Sequence, residues 1–269
     1  MARILVQTTM PHSEPVSSTF VRENGRLQLC MLANPKVGLP YGRYPRLLVA
    51  WIVTEAVRTK DPKIWLGKNL SRFMADLGLS VTGGSSGTVG RFRDQMKRLF
   101  STTISVTEDL PARGQWHDAG FRISSQTHLW WNPDDSSESG SWGSHVLLGA
   151  DFFQAITSRP VPIDLRVLRV LKSSLALDIY TWLTYRSSYL KKPCRVSWQS
   201  LAHQFGSDYR EIGDFRRRFL QAARQVLDVY PTARLEKVRG GIKLRPSRPH
   251  IAKLFGSAPE RMSARRDSA

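Results

Sequence analysis

Residues 88–100 and 211–229 each put apolar side chains on one helical face and basic ones on the opposite face. Each stretch follows a short apolar helix and a glycine-marked turn, and each precedes segments that alternate like strands. A chain punctuated this way twice has little freedom. Helix, turn, basic helix and strand pair outline a winged helix, so the expected fold class is α+β, with two winged-helix domains in tandem. The expected boundaries are residues 1–158, residues 159–247 and a basic tail over residues 248–269.

Local signals fill in the rest. Asn24-Gly25 between Thr19–Arg22 and Leu27–Cys30 predicts a hairpin. Residues 46–59 read as a buried helix that stops before Asp61-Pro62, and residues 69–77 as a short helix ended by Gly78. Residues 103–107 and 121–131 alternate as a first wing, and the Ser-rich stretch 132–144 reads as a surface loop. In the second half, helices are expected over 150–157, within 165–189, over 198–205 with Ser197 as N-cap, and over 211–229. Residues 233–244 around Gly240-Gly241 form the second wing, and from Pro246 onward a loosely ordered basic tail is expected.

Charge narrows the function. Forty Lys and Arg against 22 Asp and Glu leave +18 in 269 residues, a balance suited to tracking phosphates. An anionic membrane or an acidic protein would satisfy the same balance. Apolar runs such as 47–53 fall far short of the roughly 20 residues that span a bilayer. The first residues carry too short an apolar stretch for a signal segment, so a cytoplasmic protein is expected. Cys30 and Cys194 stand far apart without a CxxC pattern, which predicts two reduced, half-buried thiols.

The helix over 211–229 carries the sharpest local signal. Ile212, Phe215, Phe219, Ala223 and Val226 line its apolar side; Arg217, Gln221 and Arg224 lie opposite, with Asp214, Arg218 and Gln225 on the flank. Arg pairs bidentately with guanine and Gln with adenine, so this face suits a major groove; a solvated face made basic by composition is the competing reading. Arg210 before the helix and Arg234, Lys237, Arg239, Lys243 and Arg245 in the wing favour DNA, because phosphate anchors on both flanks fix a recognition helix in register. In the first half, Arg91, Lys97 and Arg98 are candidate phosphate contacts. Asp94 stands among them and would need an internal partner, with Arg98 at i+4 the nearest.

Catalytic readings find less support. The Gly83–Thr88 loop has glycines before a helix but lacks the Lys-Ser/Thr that completes a phosphate-binding loop, so it reads as a structural hinge. No His-x-His pair exists among the six histidines, and Tyr180 and Tyr185 have core-like spacing, so nicking chemistry and a resident cofactor or metal are not expected.

Several blocks together are distinctive: Leu39-Pro-Tyr-Gly-Arg-Tyr-Pro-Arg46, Thr54–Thr59, Trp65-Leu-Gly67, Leu70-Ser-Arg-Phe73, Thr82-Gly-Gly84, Arg91–Phe100, Pro160-Val-Pro-Ile-Asp164 and Leu175–Arg186. This series resembles the plasmid-encoded RepA replication initiators over residues 37–205. The resemblance implies binding to directly repeated origin sites in duplex DNA, opening of adjacent A·T-rich DNA, recruitment of the host helicase with the host initiator, and a homodimeric repressor form. It does not reach the proposed recognition helix residue by residue. A winged-helix transcription regulator and, further off, a nicking replication protein are the other classes left open.

Overall fold

The computed structural model describes residues 1–67, 69–84, 87–130, 143–206 and 209–251. A first short helix, α1 (Arg3–Gln7), leads into a hairpin of β1 (Thr19–Asn24) and β2 (Leu27–Leu32). Its turn is Gly25-Arg26, one residue later than Asn24-Gly25, because Asn24 still pairs with Leu27 and Gly25 alone takes the positive φ of 64°. The long helix α2 (Arg43–Thr59) follows, with Pro45 in its first turn, where a missing N–H costs nothing. Then come β3 (Lys63–Trp65), α3 (Leu70–Asp76) and α4 (Thr88–Ser101). The Asn69 side chain accepts from the Arg72 N–H, capping α3.

Residues after α4 depart from a single local wing. β4 (Thr103–Leu110) pairs with β5 (Gln115–Arg122) and also with β2, giving a four-stranded sheet in the order β1-β2-β4-β5. β6 (Ser124–His128) instead pairs with β7 (His145–Leu148), so the strand expected over 121–131 is divided between two sheets up to His128, and residue 131 lies outside the described residues. The second of these has the order β3-β7-β6.

The rest of the chain is α5 (Ala150–Ser158), α6 (Leu165–Val170), α7 (Ser174–Ser187), β8 (Cys194–Ser197), α8 (Trp198–Phe205), α9 (Ile212–Val229), β9 (Arg234–Val238) and β10 (Gly241–Arg245). Its sheet order is β8-β10-β9. The same plan therefore occurs twice. A helix, a strand, two helices and a closing pair of strands run from α2 to β7 and again from α7 to β10, each sheet placing its last strand in the middle. Between the third helix and the closing pair, the first half inserts β4 and β5.

The two halves share one apolar core. At their junction the Arg46 guanidinium donates to both Asp178 carboxylate oxygens at 2.7 Å, and to the carbonyls of Met10, Pro11 and Gly42. His12 donates from Nε2 to the same carboxylate at 2.8 Å. Burial alone would raise the Asp178 carboxyl, but the Arg46 charge and the hydrogen bonds from His12 and Arg46 outweigh it and hold it below the usual carboxylate range. Burial lowers His12 more strongly than its hydrogen bond to Asp178 raises it, so the ring is neutral at pH 7.

The Leu39–Arg46 block is thus a joint. Tyr41 donates its N–H to Gln95 on α4, Arg43 donates to the carbonyls of Leu168, Arg169 and Leu171 at the end of α6, and Tyr44 packs edge-on against Phe92. The segment before α2 reaches the second half as well, through Thr9 Oγ1 to Gln204 O at 2.9 Å and Gln204 Nε2 to Val6 O at 3.3 Å.

The first residues beyond Pro246 are docked, contrary to a tail loose from that point. Tyr230 donates to Arg248 O, Ser247 bonds Ser187, and His250 packs against Tyr230 and Tyr180. Most of the expected tail and the Ser-rich loop lie outside the described residues. Cys30 and Cys194 are free and half-buried, as expected. Among the described residues no helix is long and apolar enough to cross a membrane.

Candidate nucleic-acid interface

α9 is held by aromatic packing. Phe219 lies 5.9 Å from Trp198, 5.7 Å from Phe205 and 5.7 Å from Phe215, centroid to centroid, and Phe215, Ala222, Ala223 and Val226 are buried with it. Such a helix cannot roll without breaking its core. Its outer face is consequently fixed, with Arg216, Arg217, Arg218, Gln221, Arg224 and Gln225 all exposed. Asp214 in the first turn pairs with Arg217 at 2.8 Å. Arg210 is exposed just before the helix.

One position differs from the wheel. Ile212, expected on the apolar side, is exposed and lines a cleft of about 440 Å³ with Phe20, Val21, Ala202 and Tyr209. Arg216 was not among the sequence candidates, yet it is exposed with its guanidinium 5.9 Å from the Trp198 ring centroid.

Beside α9 runs a second cleft of about 430 Å³, lined by Ser173 and Ser174 at the start of α7, by Tyr209, and by Arg218, Gln221 and Gln225. The β9–β10 hairpin follows α9 in the chain. Gly240, with φ 81°, makes its tight turn beside exposed Arg239. Ile242 and Leu244 face the core, so Lys243 and Arg245 face outward. Across the strands Lys243 stands opposite both Glu236 and Arg195, and Arg245 opposite Arg234. Arg245 is bound to Glu236 at 2.7 Å, whereas Arg234, Lys237 and Arg195 are exposed. Arg195, expected in a strand, is not among the sequence's DNA candidates, since only the strand pairing brings it to Lys243.

In the first half Arg91 and Lys97 are exposed on α4. Arg98 is engaged within the fold. Its guanidinium pairs with Asp94 at 2.7 Å and Glu14 at 2.8 Å, donates to Leu39 O, and lies 5.3 Å from the Tyr41 ring centroid. The i+4 partner expected for Asp94 is therefore present. At the start of α4, Thr82 Oγ1 accepts from the Thr88 N–H and Thr88 Oγ1 accepts from the Thr82 N–H, both at 3.0 Å. This reciprocal clasp occupies the Thr88 amide that a loop phosphate would need.

Tyr180 is buried, its phenol is pushed up to about 12 by burial, and it accepts from the Asp164 N–H. Among the described residues no group of three His, Cys, Asp or Glu side chains is placed to hold a metal ion.

The family model of the plasmid-encoded RepA protein matches residues 39–200. The chain belongs to that family. RepA family residues thus run from the Leu39–Arg46 joint through α4 and α7 to α8, and end before α9. The fold is also similar to two crystal structures at 12% identity. The structure of RctB domains 2-3 gives a TM-score of 0.56, with 91% of this chain and 96% of that chain covered. A second, of selenomethionine derivatives of domains 2 and 3 of RctB, gives 0.59 with 92% and 96% covered. No curated protein matches the sequence.

Proposed function

We propose that the protein is a non-catalytic replication initiator that binds repeated sites at a plasmid origin, opens adjacent A·T-rich DNA and draws in the host helicase. The observation that carries this reading is membership of the RepA family together with the fixed basic face of α9. We read each repeated unit as a winged helix. In the second, α9 enters the major groove, with Arg217, Gln221 and Arg224 turned to base edges, Arg210, Arg216 and Arg218 beside them, and Arg234, Lys237, Arg239 and Lys243 holding phosphates. In the first, Arg91 and Lys97 hold phosphates, while Arg98 serves the fold through Glu14 and Asp94.

The same reading assigns residues 159–247 most of the base readout and residues 1–158 phosphate contacts and a dimer interface used in self-repression. With no nucleotide motor, opening must come from binding energy spent on distorting the duplex, and several protomers on phased repeats supply more than one. Nuclease footprinting on the cognate plasmid, combined with single-strand-specific chemical probes, tests the reading. Protected repeats beside a reactive A·T-rich stretch are expected. Protection of a promoter operator alone would favour a transcription regulator, and magnesium-dependent nicks would favour a nicking enzyme.

A further inference from the structure

The outward face of the sheet β3-β7-β6 carries an aromatic row that the duplex-binding surface does not use. Strand register sets Trp65 opposite His145 and His145 opposite His128. Their rings follow one another across the sheet, with centroids 4.9 Å apart between Trp65 and His145 and 4.7 Å between His145 and His128. Lys63 Nζ lies 4.6 Å from the Trp65 ring centroid. The second row across the same face is Lys63, Leu147 and Gln126. On the opposite face Ile64, Val146 and Leu148 are buried in the core, so the platform is backed by rigid packing.

We propose that this face is a stacking platform for an unpaired DNA strand. Trp65 is 54% exposed and His128 is exposed at the end of the row. Cross-strand aromatic pairing steadies a sheet, but it does not require an indole face turned to water. None of the six residues in the two rows is acidic, and the whole chain carries +18, so the face suits a polyanion better than a basic or neutral partner. A flat aromatic row also discriminates by strandedness. In a duplex the base faces are hidden in the stack, whereas an unpaired strand offers a π-face at every base, whatever its sequence. Lys63 adds a cation within reach of the backbone.

The inference extends the initiator reading, because opening an origin produces the strand this face would hold. The test is fluorescence anisotropy of the full chain with an oligothymidine of about 16 nucleotides, run in parallel with a duplex carrying the origin repeats. Trp65→Ala and His128→Ala should each weaken oligothymidine binding about tenfold, the range expected for loss of one aromatic–base stack, and leave duplex binding unchanged. Trp65→Phe should keep most of the affinity, and Trp116→Ala, exposed on the four-stranded sheet, should keep all of it. Oligothymidine bound as tightly by both Ala variants as by the parent would overturn the proposal. Equal losses on duplex and single strand would overturn it too. His128 is exposed at the end of the row, so His128→Ala carries the test if Trp65→Ala fails to fold. Unchanged duplex binding in α9 variants, with oligothymidine binding lost in Trp65→Ala, would instead count against the groove assignment alone.

Discussion

Arg46 on α2 and Asp178 on α7 meet as a bidentate pair, Nε to Oδ1 and Nη2 to Oδ2 each at 2.7 Å, with the other three guanidinium N–H groups given to main-chain carbonyls. All five donors are used, and both side chains are buried. Removing one partner leaves an uncompensated charge in the core. Asp178→Asn should therefore cost about 3 kcal/mol or more, read by urea denaturation. A loss below about 1 kcal/mol would mean the pair is solvated in solution.

Acid should weaken this junction before it reaches the carboxylate. His12 titrates below its ordinary 6.5 when folded, so the unfolded chain takes up a proton that the folded chain refuses. Stability is then full above about 6.5 and falls as pH drops below it, by at most about 1.4 kcal/mol per pH unit from this group. The buried Met1 ammonium, lowered by burial to about 5, acts in the same direction from pH 8 downward. The comparison that isolates His12 is the parent against His12→Gln across pH 7 to about 5. Parallel curves for the two would disprove the assignment.

Base readout and phosphate contact separate in mutants. Arg217→Ala should relax preference at one base pair by about 1–3 kcal/mol in competition against mutated repeats. Lys97→Ala should weaken all sequences alike. The reverse pattern would exchange the roles given to the two halves.

If a protomer neutralises about eight phosphates, log K should fall against log salt with a slope near −7. Arg239→Ala should lower the magnitude of that slope by about one. Arg98→Ala should leave it unchanged and reduce thermal stability instead, since Arg98 is spent on Glu14, Asp94 and Leu39. A smaller slope for Arg98→Ala would return that residue to the DNA surface.

Gly87 precedes α4 with no room for a side chain, because an added Cβ would run into the main-chain oxygens of Thr82 and Gly83. Gly87→Ala should open the Thr82–Thr88 clasp and displace the start of α4. The expected readouts are a lower melting temperature and faster exchange of the Thr88 amide. An unchanged amide would show that the clasp tolerates the shift.

Helices and their caps were legible because their signals are local. Ser197 accepting from the Ser200 N–H, Gly206 at the end of α8, and the span of α9 all follow from residues within a few positions. Strand partners were not, since alternation tells which side a residue faces but not which strand lies beside it. Hence β4 joined β2, with Leu32 opposite Thr103 far along the chain, and residues 121–128 split between sheets. Arg46 and Arg98 look like surface cations in a chain this basic, and only the buried Asp178 and the approach of Glu14 turn them inward. The α9 face was readable as a surface, while Arg195 and Arg216 needed strand pairing and ring stacking to join it.

The shared core between the halves has a consequence for length rather than strength. Residues 159–164 connect α5 to α6, but Val161 is buried and its carbonyl accepts from the Met1 amine at 2.6 Å, so the connection is part of the core and not a tether. The distance between the basic faces of α4 and α9 is then set by the fold, as on a caliper with a locked screw. On the proposed reading such a protein would measure its site in helical turns: about five base pairs inserted within one repeat would carry half of it to the far side of the duplex, and no slack in the chain would follow it there.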